Sequence, residues 1–157
     1  MKTNEGIPEL NPWWITGFVD GEGCFSISFI KNATMRLGYQ IFVEFVLTQG
    51  EKSLPSLEAV QCFFDCGKIY RNRRKDNHKE DLFRYCVRAR ADLLDTIIPF
   101  FEEYPLQTAK KDDFEVFRWV MRMIERGEHL TPEGFETIRQ LSATTNRRKV
   151  RELSTIS

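Results

Sequence analysis

Asp20-Gly21-Glu22-Gly23 places two carboxylates on either side of a glycine at the end of an apolar stretch. The stretch before them reads as a helix. Asn11 is placed to cap it, and Pro12 falls at the first helical position, where its missing N–H costs nothing. Trp14, Ile15, Phe18 and Val19 follow at helical spacing. Glycine then ends the helix and leaves Glu22 at its C-terminal end, an unfavourable place for negative charge. A hard cation such as Mg²⁺, which prefers oxygen ligands, would offset that cost. Gly17 and Gly21 lie four apart with Thr16 nearby. Small residues at that spacing let a second helix approach to near backbone contact, a geometry best known between membrane helices. The acid interrupts the segment, so it is no membrane span. On spacing alone the same residues also describe a surface helix whose glycine-rich end carries acids.

The remaining chain bounds these options. Its 157 residues suit one domain with a real core. An apolar content of 41% and aromatics at 13% fit a folded, soluble protein. Net charge is zero, so composition alone does not point to nucleic acid. Its distribution does: Lys68 to Arg90 carries nine Lys/Arg against three acids, a local basic patch or a solvated charged hairpin. Of the four cysteines only Cys62 and Cys66 are close in sequence, and His78 and His129 are remote from them. This spacing argues against zinc and for reduced core or surface thiols. The N-terminal Met1-Lys2-Thr3-Asn4-Glu5 carries no apolar signal region and no Arg-rich transit pattern. The expectation is a protein that is not secreted and acts where it is made.

Elements follow in order. Residues 24–30 alternate as a strand, with Phe25, Ile27 and Phe29 on one face. Residues 31–38 turn, and 39–48 form a longer strand with Ile41, Val43, Phe45 and Leu47 inward and Gln40, Phe42, Glu44 and Val46 opposite. Residues 54–64 form a helix with Ser53 as its cap. Strands follow at 68–72 and 82–88, separated by a polar, basic loop at 73–81; Phe83, Tyr85 and Val87 face the core, and Leu82, Arg84, Cys86 and Arg88 face out. Helices come at 91–103, where Pro99 ends or kinks the run, at 108–126, and from Thr131 to about Thr144; 146–157 reads as a frayed basic tail. The stripe Phe114, Phe117, Val120, Met121 and Ile124 is core. The order argues an α+β fold: a four-stranded antiparallel sheet, helices on one face and the other open. Such a face fits the DNA major groove.

Ile15-Thr16-Gly17-Phe18-Val19-Asp20-Gly21-Glu22-Gly23 resembles the signature of the LAGLIDADG homing endonucleases. Gly17, Asp20 and Gly23 fit as they stand, Glu22 takes the second acidic position, and Thr16 replaces the usual alanine. The resemblance runs from about Asn11 to Arg148. It takes in Gly67-Lys68-Ile69-Tyr70 at the third strand, Pro105-Leu106-Gln107-Thr108-Ala109-Lys110 before the long helix, and Glu128-His129-Leu130-Thr131-Pro132-Glu133-Gly134.

The resemblance implies an αββαββα fold over 1–157, with its core at about 11–148, flexible tails at 1–10 and 149–157, and a saddle-shaped sheet that binds DNA. One copy of the signature implies a homodimer joined through Trp14, Gly17, Phe18, Asp20 and Gly21. Asp20 is expected to bond backbone N–H groups across the helix pair. The metal, Mg²⁺ or another divalent ion such as Ca²⁺ or Mn²⁺, would take the Glu22 carboxylate and the Gly21 carbonyl. Lys110 and Gln49 match the family's catalytic lysine and water-placing positions, with Lys52 a weaker candidate. DNA contacts are expected from Ser26, Ser28, Ile30, Asn32, Arg36, Gln40, Phe42, Glu44, Lys68, Tyr70, Asn72, Arg73, Arg74, Lys75, Arg84 and Arg88. The function implied is metal-dependent cutting of both strands of a long, near-palindromic DNA site across the minor groove. No membrane or small-molecule substrate is implied. Relatives that splice RNA as maturases or bind DNA without cutting provide the alternative. A free-standing chain of this length favours an intron over an intein, in a prokaryotic cytoplasm or the organelle, mitochondrion or chloroplast, that encodes it.

Overall fold

The structure is a computed structural model that describes residues 9–73 and 80–154, with side chains through Thr145. Element order is α1 (Pro12–Glu22), β1 (Gly23–Lys31), β2 (Tyr39–Gly50), α2 (Leu54–Phe64), β3 (Lys68–Asn72), β4 (Leu82–Val87), α3 (Arg90–Asp92), a π-helical turn (Leu93–Ile97), α4 (Ile98–Glu103), α5 (Lys110–Glu125) and α6 (Pro132–Ser154). The four strands form a sheet in the order β1-β2-β4-β3. Internal contacts divide the chain into two units, Met1–Cys24 with Glu44–Thr108, and Phe25–Val43 with Ala109–Ser157.

In the first unit, Asn11 caps α1 by accepting from the Trp13 N–H at 2.9 Å, and Pro12 opens the helix. Ile15, Thr16 and Val19 are buried, and the Thr16 hydroxyl donates to the Tyr104 carbonyl at 2.9 Å. The core centres on Phe45, wholly buried with Phe64, Tyr85 and Phe101 rings 5.8–6.4 Å away. Such edge and tilted arrangements add to burial itself. β4 pairs with β2 through Leu47–Tyr85 and with β3 through Ile69–Tyr85.

Three local expectations are corrected. Ser53 makes no side-chain cap; a 3-10 turn at Glu51–Ser53 leads into α2 instead. Pro99 does not break its helix. It falls in the first turn of α4, just after a π-helical turn, where its missing donor costs little. The last helix extends to Ser154, past the expected end near Thr144.

In the second unit, Phe25 packs at 5.3 Å on Phe114 and 5.4 Å on Phe117, both from the apolar stripe of α5. Phe29 meets Phe135 of α6 at 5.4 Å. The Thr131 hydroxyl accepts from the Gly134 N–H at 3.1 Å, capping α6. Any side chain at Gly134 would collide with the Glu128 carbonyl. That collision gives the Thr-Pro-Glu-Gly sequence a steric reason. No helix among the described residues is long and apolar enough to cross a membrane.

Candidate active site and nucleic-acid interface

Glu22 is the last residue of α1 and is exposed. The helix stops there for a spatial reason rather than a conformational one. Gly23 has ordinary extended angles (φ −79°, ψ 160°), but a Cβ on it would lie 2.6 Å from Val19 Cγ1 and 2.8 Å from the Val19 carbonyl. Only glycine lets the chain pass this close and enter β1 directly. Earlier on the same helix, added Cβ atoms at Gly17 and Gly21 would meet nothing within 4 Å. Trp14, 45% exposed, stacks on Phe18 at 5.2 Å beside them. Exposed Trp14, Gly17 and Gly21, with half-buried Phe18 between them, therefore make one stripe that ends at Glu22.

Asp20 points elsewhere. Its carboxylate accepts from the Gln107 N–H at 3.0 Å, the Thr108 N–H at 3.0 Å and the Thr108 hydroxyl at 2.8 Å. Within the chain, these bonds go to Gln107 and Thr108 of the Pro-Leu-Gln-Thr segment. The partner signal was present in the sequence only as that segment's place in the family resemblance.

Gln49 lies near the end of β2 opposite Phe83, half-buried and in phase with Phe45 and Leu47. The strand end beside it is tied down: the Glu80 carboxylate accepts from the Lys52 N–H at 2.6 Å and occupies the space a Cβ on Gly50 would need. The Lys52 side chain is exposed. Lys110 opens α5 and is half-buried.

On the sheet face, Lys68, Tyr70, Asn72, Arg73 and Arg88 are exposed and Arg84 is half-buried. Glu44 departs from the open-face reading. It is only 8% exposed; its Oε2 accepts from Arg88 Nε at 2.8 Å and its Oε1 from Arg84 Nη2 at 3.3 Å. Arg88 also lies over the Tyr70 ring, 5.0 Å from its centroid. Val46 and Cys86, paired across the strands, are buried on this same face. An Arg88 nitrogen sits 4.0 Å from Cys86 Sγ, so the guanidinium roofs a patch that alternation alone marks as open. Burial pushes the Cys86 thiol up, and the bond to Glu44 raises the Arg88 guanidinium further above its ordinary value. In the second unit, Ile30, Arg36 and Gln40 are exposed, while Ser26, Ser28, Asn32 and Phe42 are half-buried. Asn32 Oδ1 accepts from the Thr34 hydroxyl at 2.7 Å, and Gly38, at φ +77°, closes the β1–β2 turn. Arg74 and Lys75 lie outside the described residues. All four cysteines are free thiols.

The sequence profile described as "LAGLIDADG endonuclease" matches residues 15–121, more than half of the chain. The chain belongs to the LAGLIDADG endonuclease family. Similar proteins include an uncharacterized 50.9 kDa protein in ND4 intron 1 of Podospora anserina, 36% identical over 80% of this chain and 27% of that protein. A probable intron-encoded DNA endonuclease 1 of Mycosarcoma maydis is 33% identical over 99% of this chain and 53% of its own length. The chain thus spans about a quarter to a half of these relatives. Among solved structures, the homing endonuclease I-TnaI superposes with a TM-score of 0.81 at 38% identity, covering 96% of this chain and 100% of that one. I-SmaMI bound to an uncleaved DNA target in the presence of calcium ions gives 0.79 at 30% identity, over 93% of this chain and 47% of that one. The four-stranded sheet with its helices is the LAGLIDADG homing endonuclease fold.

Two structural features of this region escaped sequence reasoning. One is the burial of Glu44 under two arginines. The other is the Glu80 tie at the end of β2. The alternation of β2 placed Glu44 on the correct face, but the partner arginines come from β4, forty residues away, and no local signal pairs them.

Proposed function

We propose that this chain, acting as one LAGLIDADG domain over 1–157, is a divalent-metal-dependent, site-specific double-strand DNA homing endonuclease that works as a homodimer. The observation that carries this reading is the α1 stripe. Trp14, Gly17 and Gly21 are exposed and Phe18 is half-buried beside them, both glycines face open space, and the stripe ends at the exposed Glu22. A second copy of α1 packed there would bring two Glu22 carboxylates together. A single copy of the signature in the chain is consistent with the dimer.

The donor set fits a hard cation. Glu22 and the Gly21 carbonyl are oxygen ligands at a helix C-terminus, where the partial negative charge of the last carbonyls also favours a cation. In this reading one chain would supply part of the site, completed by the second Glu22, phosphate oxygens and water. When bound, a divalent ion there polarises the scissile phosphate, activates water and stabilises the leaving oxygen. Lys110 balances phosphate charge, and Gln49 helps place the attacking water. The exposed sheet side chains, with Arg73, Arg74 and Lys75, bind phosphates and base edges of duplex DNA. Two-fold symmetry then selects a near-palindromic site, cut across the minor groove to leave a short staggered end. The intron-encoded relatives favour an organelle as the place of action.

The test is cleavage of a randomised long-duplex library with and without Mg²⁺, with the cut ends sequenced, alongside sedimentation of the protein. Mg²⁺-dependent cuts at one family of near-palindromic sites by a dimer are expected. A cutting monomer would overturn the homodimer. Binding without cutting would move the chain to the maturase or regulator class.

A further inference from the structure

The sheet-face acid is better placed to aim other side chains than to read DNA itself. Glu44 is buried to 8% exposure on a surface where Lys68, Tyr70 and Arg88 are exposed. Its two oxygens are divided between two guanidinium groups, Arg88 Nε at 2.8 Å and Arg84 Nη2 at 3.3 Å. Arg88 is held from a second direction by the Tyr70 ring at 5.0 Å, a cation–π contact that restricts the guanidinium plane. Tyr70 in turn stands directly opposite Arg84 in the β3–β4 register. Four side chains, on β2, β3, β4 and the residue just after β4, are thus linked. Arginine loses considerable rotamer freedom when it binds. A carboxylate that fixes two of them in advance removes part of that cost before any ligand arrives. Its charge also works against binding to phosphates, so its presence on a DNA-facing surface calls for another role than affinity.

We propose that Glu44 is a positioning residue for sequence selectivity, and that it pre-sets Arg84 and Arg88 to recognise the O6/N7 edge of guanine at specific base pairs of the target. This rests on the DNA reading given above. A direct role for Glu44 would look different, because a carboxylate reads the N4 amino group of cytosine. The two roles predict different positions of lost preference.

The experiment is selection and sequencing of bound duplexes from a randomised library, in Ca²⁺ to separate binding from cutting, using the full chain and its Glu44→Gln, Arg84→Ala and Arg88→Ala variants. Glu44→Gln keeps the size of the side chain, and circular dichroism with thermal melting checks that each variant is folded. Glu44→Gln is expected to lose roughly 5- to 100-fold of base preference at the same guanines that Arg84→Ala and Arg88→Ala lose. Its affinity for unrelated duplex should hold or rise, because a negative charge has gone. Combining Glu44→Gln with Arg88→Ala should add little further loss, as expected for residues acting through one another. A merely structural role would weaken all positions alike and would overturn the proposal. Loss of preference at a cytosine that both arginine variants keep would also overturn it, in favour of direct reading. Unchanged selectivity in a folded Glu44→Gln protein would overturn it as well. If the unmodified chain selects no duplex at all, the failure lies with the DNA reading, and the inference falls with it.

Discussion

The end of α1 and the face of the sheet use the same functional group in opposite ways. Glu22 is exposed at a helix C-terminus, and no described residue pairs with it. Glu44 is buried and bonded to two arginines. Asp20, two residues from Glu22, sides with Glu44: three N–H or O–H donors of Gln107 and Thr108 surround it. Satisfied carboxylates hold the chain's own parts in place. A carboxylate kept where the helix dipole disfavours it is available to something outside the chain. The contrast separates Asp20 from Glu22, which composition treats as equivalent.

The largest effect that could break this contrast is at Glu22. Glu22→Gln is expected to lower single-turnover cleavage by at least about 100-fold, on the order of losing one electrostatic stabiliser of a reacting centre, while DNA binding is kept. Folding stability should move the other way. Removing a negative charge from the helix C-terminus is expected to raise stability by about 0.3–1 kcal/mol at low salt, read as a small rise in Tm. A variant that cuts at the original rate, or one that loses stability, would place Glu22 with the structural acids.

The glycines of α1 sharpen the comparison. Gly23→Ala puts a methyl 2.6 Å from Val19 Cγ1 and 2.8 Å from a backbone oxygen that cannot give way. The expected cost is about 1–3 kcal/mol, visible as a lower Tm of the isolated chain. Gly17→Leu starts from a Cβ position with nothing within 4 Å and replaces glycine with a better helix former. Its fold should be unharmed while sedimentation shows loss of the dimer. If Gly17→Leu leaves a dimer intact, the exposed stripe is not the contact.

How far these sites were legible in the sequence varies with the range of the interaction. The caps at Asn11 and Thr131 and the alternation of β1 and β2 are local, and each was visible in a window of a few residues. The element order was readable for the same reason. Gly23 was read correctly as the end of α1, but its physical reason is contact with Val19 rather than left-handed backbone, and that needs the packed helix-to-strand joint. The π-helical turn before Pro99 was not legible, since a proline signals a missing donor without saying how the ladder adapts. Nor were the partners of Asp20 and Glu44, which lie 87 and 40 or more residues away. Alternation assigned Cys86 and Val46 to an open face because it reports direction, whereas burial also depends on which long side chain folds over them.

Tyr85 gives the smallest effect and tests the same distinction in the core. It is wholly buried between β2 and β3, and its hydroxyl donates to the Cys66 carbonyl at 2.8 Å. Burial, reinforced by the neighbouring Cys66, pushes the phenol far above its ordinary value. Burial raises the Cys66 and Cys86 thiols too. Because the folded pKa values are raised, the unfolded chain releases these protons first as pH rises. Their contribution to stability is therefore complete at neutral pH, begins to fall above about 8.5 for the thiols and above about 10 for the phenol, and is lost as pH climbs further. Tyr85→Phe should cost about 1 kcal/mol at pH 7 for the lost hydrogen bond but should flatten the decline above about pH 10. Thermal melts at pH 7, 9 and 10.5 would compare the two slopes. A variant that declines as steeply as the parent would mean that the alkaline loss comes from elsewhere in the chain, and that the Tyr85 hydroxyl contributes its hydrogen bond without controlling the titration.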